Sequence, residues 1–186
     1  MDINENDLAL WSTLLGKSEK KTETINEASK ELVHVEHFFD RPVLGKILVL
    51  PQTAAESFRY NKPWACISVR GSNSIFTPRI NDNNRVGLLS LIFDDIEHLP
   101  QGSSNILFNA SHANSIWEFV DKVWQRTDLL MVHCAAGISR SAAISQVISE
   151  TYQPDYVKYY GQLYRPNKLV HRILKETEPD HRGLLL

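Results

Sequence analysis

Cysteine and methionine are scarce in this 186-residue chain, with two of each, and the cysteines are Cys66 and Cys134. Neither cysteine sits in a paired metal-ligand spacing, so no structural zinc site is expected. A disulfide between them is open in principle, but a reducing compartment suits a reactive thiol better, and both read as free. No charge of one sign dominates either. The 20 Lys and Arg against 22 Asp and Glu leave a formal net charge of −2, which provides no basic footprint for nucleic acid or an anionic membrane. No apolar run approaches the ~18 residues of a membrane span. The opening residues Met1 to Asp7 are acidic and lack the basic start of a secretion signal. A cytoplasmic location is the expectation. There are no internal repeats and no long low-complexity tract.

Residues 1–42 read as an N-terminal extension. Leu8, Leu10, Trp11, Leu14 and Leu15 space out as a short amphipathic helix. The charged stretch Gly16 to Glu23 reads as a solvated linker or frayed helix. A packed extension is one reading of this segment and a partner-binding segment is another. The recognisable body runs over 43–186, a length suited to one substantial core. Ile47 to Leu50, the segment around Cys66, and Leu88 to Phe93 read as strands, as does Leu129 to Val132. Helical spacing recurs from Ser111 to Arg126 through Ile116, Phe119, Val120, Val123 and Trp124. Helices are also expected over Thr53 to Arg59, Asp155 to Tyr160, and Pro166 to Leu174, with Pro166 suiting a first helical position. Strands alternating with helices predict an α/β fold: a central, mostly parallel sheet of four to five strands flanked by helices. In such sheets ligands bind beyond the carboxyl ends of the strands.

The run His133-Cys134-Ala135-Ala136-Gly137-Ile138-Ser139-Arg140-Ser141 follows one of these strands and opens a helix. Loop amides and the unpaired donors of a helix's first turn converge on an anion. The small residues Ala135, Ala136 and Gly137 let the backbone close tightly. Arg140 adds a planar fork able to grip two phosphoryl oxygens. A thiol in such a field ionises more readily than the ordinary cysteine, whose pKa is about 8.5. Cys134 is therefore the candidate nucleophile. His133 is expected to orient the loop by hydrogen bonding to backbone, and Ser141 to donate to the sulfur. A buried cysteine beside a surface arginine is the plainer alternative.

These residues resemble the signature His-Cys-x5-Arg-Ser of the cysteine-dependent protein phosphatases, closest to the dual-specificity and bacterial tyrosine-phosphatase-like branch. The likeness covers roughly residues 43–178. It implies the cysteine-phosphatase fold and hydrolysis of a phosphomonoester through a phosphocysteine intermediate. The phosphoryl group would be held by the backbone of Ala135, Ala136, Gly137, Ile138 and Ser139 together with Arg140. The loop and arginine supply the positive field, so no metal and no cofactor is expected. Phosphorylated proteins, carrying phosphotyrosine and also phosphoserine or phosphothreonine, or other phosphomonoesters, are the expected partners.

A tyrosyl leaving group, with a pKa of about 10, needs protonation. The apolar strand ending at Phe93 delivers two acids, Asp94 and Asp95. The Phe-x-Asp pattern of bacterial relatives favours Asp95 as general acid, with Asp94 a flexible neighbour or cap. Two solvated turn acids are the bland alternative. His98 and His112 read as surface or capping residues. Arg70 reads as a surface or ion-pairing residue with substrate phosphate as its other reading. Tyr60, Trp64 and Phe76 are the candidates for an aromatic wall. The neutral loop positions offer little for a polyanionic phosphoinositide head group. A non-catalytic phosphoresidue-binding module, a phosphatase of phosphoinositides or nucleotides, and a rhodanese- or arsenate-reductase-like thiol enzyme remain alternatives.

Overall fold

The computed structural model describes residues 23–25, 32–34 and 37–179. The predicted helix over 8–15 and nearly all of the predicted linker lie outside the described residues. The chain divides into two compact units, Met1–Pro42 and Val43–Leu186. In the first, β1 (Glu23–Ile25) pairs antiparallel with β2 (Leu32–His34), strands that the sequence does not announce. β3 (His37–Phe38) turns back through Phe39 and Asp40, both at positive φ, to pair with the start of β4 (Arg41–Leu44).

The second unit is built on a sheet in the order β4, β5 (Ile47–Pro51), β8 (Leu129–Cys134), β6 (Trp64–Arg70), β7 (Arg85–Ile92). β4 and β5 form an antiparallel hairpin, and the other three pairings are parallel. That is the expected architecture of a mostly parallel sheet flanked by helices. β5, β6 and β8 are buried almost throughout, as strands covered on both faces must be. β7 is the strand expected over Leu88 to Phe93, begun three residues earlier. It lies at the sheet edge, so its residues alternate, with Val86, Leu88 and Ile92 exposed and Leu91 buried.

Helices α1 (Gln52–Ser57), α2 (Ala110–Val123), α3 (Arg140–Tyr152), α4 (Val157–Leu163) and α5 (Lys168–Glu176) surround the sheet. α2 buries Ala113, Ile116, Trp117, Val120 and Val123 at helical spacing. Asn109 caps its start, accepting from the Ser111 and His112 amides, while the Asn109 amide donates to His112 Nδ1. His112 is thus a capping residue. Trp117 Nε1 donates to the Leu174 carbonyl at 3.1 Å and ties α2 to α5. α5 begins two positions later than its proline suggests. Asn167 is the N-cap, its side chain accepting from the Val170 amide, and Pro166 precedes the cap. Cys66 lies opposite Met131 and Leu88 on β6 and is fully buried. Burial pushes its thiol upward against the opposing charge of Arg85. Both cysteines are free.

Candidate active site

β8 ends at Cys134 and α3 begins at Arg140, so the loop between them stands at the carboxyl edge of the sheet. Its carbonyls are engaged from outside. Ala135 O accepts from the Gln52 amide at 3.2 Å, Ile138 O from the Arg165 amide at 3.1 Å, and Ser139 O from the Asn167 amide at 3.3 Å. These three bonds fix the loop from its outer side. The Gly137 amide donates to Cys134 Sγ at 3.3 Å, and Ser141 Oγ lies 3.2 Å from the same sulfur. No side chain caps the α3 N-terminus, because the Ser139 hydroxyl donates elsewhere. The first-turn donors of α3 are therefore open to an anion.

Gly137 is required by backbone geometry. Its φ is +67°, and a Cβ there would meet the carbonyl carbon of Leu50 and the nitrogen of Pro51, each at 2.5 Å. Those are backbone atoms of β5, the strand on which the loop rests.

Arg140 is buried, and its Nη1 donates to the Phe93 carbonyl at 2.8 Å. Its Nε is buried with no hydrogen-bond partner and lies 3.9 Å from Asp95 Oδ2. A buried guanidinium donor left without an acceptor is the group a phosphoryl oxygen satisfies.

The two adjacent acids have different surroundings. Asp94 accepts from the Ser72 amide at 2.9 Å, the Ser72 hydroxyl at 2.6 Å and the Ile106 amide at 2.7 Å. Desolvation pushes this carboxyl up, but the Ser72 and Ile106 hydrogen bonds and the charge of Arg140 outweigh it and hold it below the ordinary carboxylate range. Asp94 is therefore a clamp joining two loops rather than a flexible neighbour. Asp95 is exposed, with Oδ1 accepting from Ser139 Oγ at 2.7 Å and Asn167 Nδ2 at 2.8 Å.

Cys134 is 1% exposed, deeper than an open cradle would leave it, while Ala135 and Ala136 are exposed. The sulfur nonetheless has two polar neighbours, so its burial is not that of an apolar slot. Asp95 reaching across to Ser139 narrows the approach from the loop side.

His133 is fully buried, and neither ring nitrogen makes a hydrogen bond of normal geometry. Its ring is packed in the interior close to the Cys134 backbone. Burial lowers its pKa to about 4, against the Cys134 backbone and the charge of Glu56, which act in the other direction. A group whose folded pKa is depressed contributes stability that is complete above its unfolded value, about 6.5, and lost as pH falls toward 4. Denaturant unfolding at pH 7 and pH 5 is expected to differ by up to about 2 kcal/mol from this residue. His133→Asn should flatten that part of the pH dependence, and an unchanged slope would remove His133 as its source.

Arg70 Nη1 donates to the Ser74 carbonyl at 3.0 Å and shapes the loop after β6. Of the aromatic wall candidates, Trp64 is fully buried, and both it and Tyr60 bond to the Asn83–Asn84 turn at the amino end of β7, away from the cradle. Phe76, 76% exposed, lies in the loop that leaves the carboxyl end of β6. Asn167, Ser72, Gln52 and Arg165 complete the site, and the last three escape a reading by motif. For Asn167, the N-cap preference of asparagine ahead of a helix was the available signal.

No family model matches the chain, and no curated protein matches it. Solved structures do. The human tyrosine phosphatase-like serine/threonine/tyrosine-interacting protein aligns at a TM-score of 0.52 and 21% identity, over 73% of this chain and 93% of that one. Human DUSP28 aligns at a TM-score of 0.52 and 16% identity, over 75% of this chain and 96% of its own. The fold is that of the dual-specificity phosphatases. In this phosphatase-like fold the Cys134 loop and the two acids occupy one rim, beyond the ends of β8 and β7. Among the described residues, no helix is long and apolar enough to cross a membrane.

Proposed function

We propose that residues 43–186 form a phosphatase catalytic domain that hydrolyses phosphomonoesters, phosphotyrosine and phosphoserine or phosphothreonine in proteins above all. The observation that carries this reading is the unpartnered, buried Arg140 Nε at the end of the loop whose Gly137 amide already donates to the Cys134 sulfur. Cys134 attacks phosphorus in line as a thiolate, forming an S–P bond as the P–O bond to the leaving group breaks. The amides of Ala135 to Ser139 and the Arg140 guanidinium stabilise the equatorial oxygens as charge spreads over them. Asp95 gives its proton to the leaving oxygen, then as carboxylate takes one from the water that cleaves the phosphocysteine. Ser141 donates to the departing sulfur in that second step. Asp94 is unsuited to the acid's role, since three donors hold it as a carboxylate. The neutral side chains at Ala135, Ala136, Ile138 and Ser139 favour a single phosphoryl group over a polyanionic head group. A nucleophilic thiol needs reducing surroundings, which supports the cytoplasm as its location.

The test is turnover of phosphotyrosyl, phosphoseryl, phosphoinositide and nucleotide substrates, with the phosphotyrosyl peptide expected to lead. Asp95→Asn is expected to lower kcat on phenyl phosphate by roughly 10²- to 10³-fold, and far less on esters of strongly acidic phenols. Asp94→Asn should leave that leaving-group dependence unchanged. The reverse pattern would transfer the acid's role to Asp94.

A further inference from the structure

Asn167 lies 72 residues from Asp95 in sequence yet makes contacts of three kinds at the site. Its backbone amide donates to Ser139 O at 3.3 Å, on the cradle loop. Its side-chain Oδ1 accepts from the Val170 amide at 3.1 Å, capping α5. Its Nδ2 donates to Asp95 Oδ1 at 2.8 Å. The residue is 5% exposed, so few other arrangements are open to it.

The cap settles the orientation of the amide. Because Oδ1 must face the Val170 N–H, Nδ2 must face Asp95, and an amide nitrogen can only donate. Asp95 Oδ1 receives a second donor from Ser139 Oγ at 2.7 Å. An oxygen engaged by two donors is the less basic of the two, since taking a proton would cost it one of them. Protonation of Asp95 therefore favours Oδ2, the oxygen 3.9 Å from Arg140 Nε.

We propose that Asn167 is a positioning residue that holds Asp95 at the mouth of the cradle and biases its proton toward Oδ2. The inference rests on the hydrolytic reading above. In the transfer, the Asp95 Oδ2–H bond breaks and a new O–H bond forms on the leaving oxygen. That oxygen keeps the electron pair of the broken P–O bond, and Asp95 is left as the carboxylate that Asn167 and Ser139 already solvate. The helix cap thus doubles as a mount for the acid, fixed to the same loop that binds the phosphoryl group.

Two variants separate positioning from capping. Asn167→Ser keeps a cap acceptor for Val170 but is too short to reach Asp95, whereas Asn167→Ala loses both contacts. Thermal unfolding should show Asn167→Ser close to wild type and Asn167→Ala below it. Kinetics on a series of aryl phosphates should show both variants losing roughly 10- to 100-fold in kcat on phenyl phosphate. Both should stay within about threefold of wild type on esters of strongly acidic phenols, which leave without help. Equal losses across the series, or full rescue of phenyl phosphate turnover by Asn167→Ser, would overturn the proposal and leave Asn167 a cap. A wild-type protein that turns over none of these esters would instead overturn the hydrolytic reading, and this inference with it.

Discussion

Cys134→Ser is expected to lower turnover of an aryl phosphate by roughly 10⁴-fold or more, because a serine hydroxyl has no base beside it to make it a nucleophile. The groups around the sulfur define what survives. Gly137 N and Ser141 Oγ face the side chain at 3.3 and 3.2 Å, and both remain hydrogen-bonding partners for a serine oxygen. The outer carbonyl bonds to Gln52, Arg165 and Asn167 do not involve the side chain and keep the loop closed. Arg140 Nε stays in place, anchored through Nη1 on Phe93 O. Calorimetry with tungstate or inorganic phosphate should therefore give an affinity within a fewfold of wild type, and the variant should retain a phosphotyrosyl peptide. Loss of oxyanion binding together with turnover would mean that the sulfur builds the cradle and does not merely react within it. A wild-type protein that binds oxyanion equally well and never hydrolyses an ester would mark the site as a phosphoresidue-binding module.

The contrast between Cys134 and Asn167 explains how much of this site the sequence discloses. A phosphate cradle is made of consecutive amides between a strand and a helix, so His133 to Ser141 display it in nine adjacent letters, and the flanking apolar runs supply both elements. The parallel sheet was legible for the same reason, through β5, β6 and β8, whose residues are apolar on both faces. The bracing of the loop is different in kind. Gln52, Arg165 and Asn167 reach it through main-chain amides, which leave no mark on residue type. Asp94 and Asp95 are identical in letter and adjacent in sequence, so only their partners, Ser72 and Ile106 for one, Ser139 and Asn167 for the other, tell clamp from candidate acid. Edge position hid the character of β7. Only the sheet order shows that it is an edge strand with Val86, Leu88 and Ile92 exposed. The short ladder of β1 and β2 carries no alternation strong enough to stand out from a charged segment.

Gly137→Ala is expected to be the most damaging single-methyl change in the cradle. Two penalties combine there. An L-residue at φ +67° costs about 1–2 kcal/mol. The added Cβ would also stand 2.5 Å from Leu50 C and Pro51 N and 2.7 Å from Leu50 O, atoms of a central strand that cannot rotate aside. Relieving that overlap costs typically about 1–3 kcal/mol more. A total near 3 kcal/mol corresponds to a fall in Tm of roughly 6–12 °C for a chain of this size. The function suffers separately, because the loop can relieve the clash only by lifting off β5, which withdraws the Gly137 amide from the sulfur. Oxyanion affinity and kcat should both fall, kcat by roughly 10²-fold or more. Gly102→Ala is the matched control: its φ is +75° but a Cβ there meets nothing within 4 Å. That variant should lose about 1–2 kcal/mol of stability from backbone strain and retain full oxyanion binding. Similar behaviour of the two variants, in calorimetry and in thermal unfolding, would show that the contact with β5 does not shape the cradle.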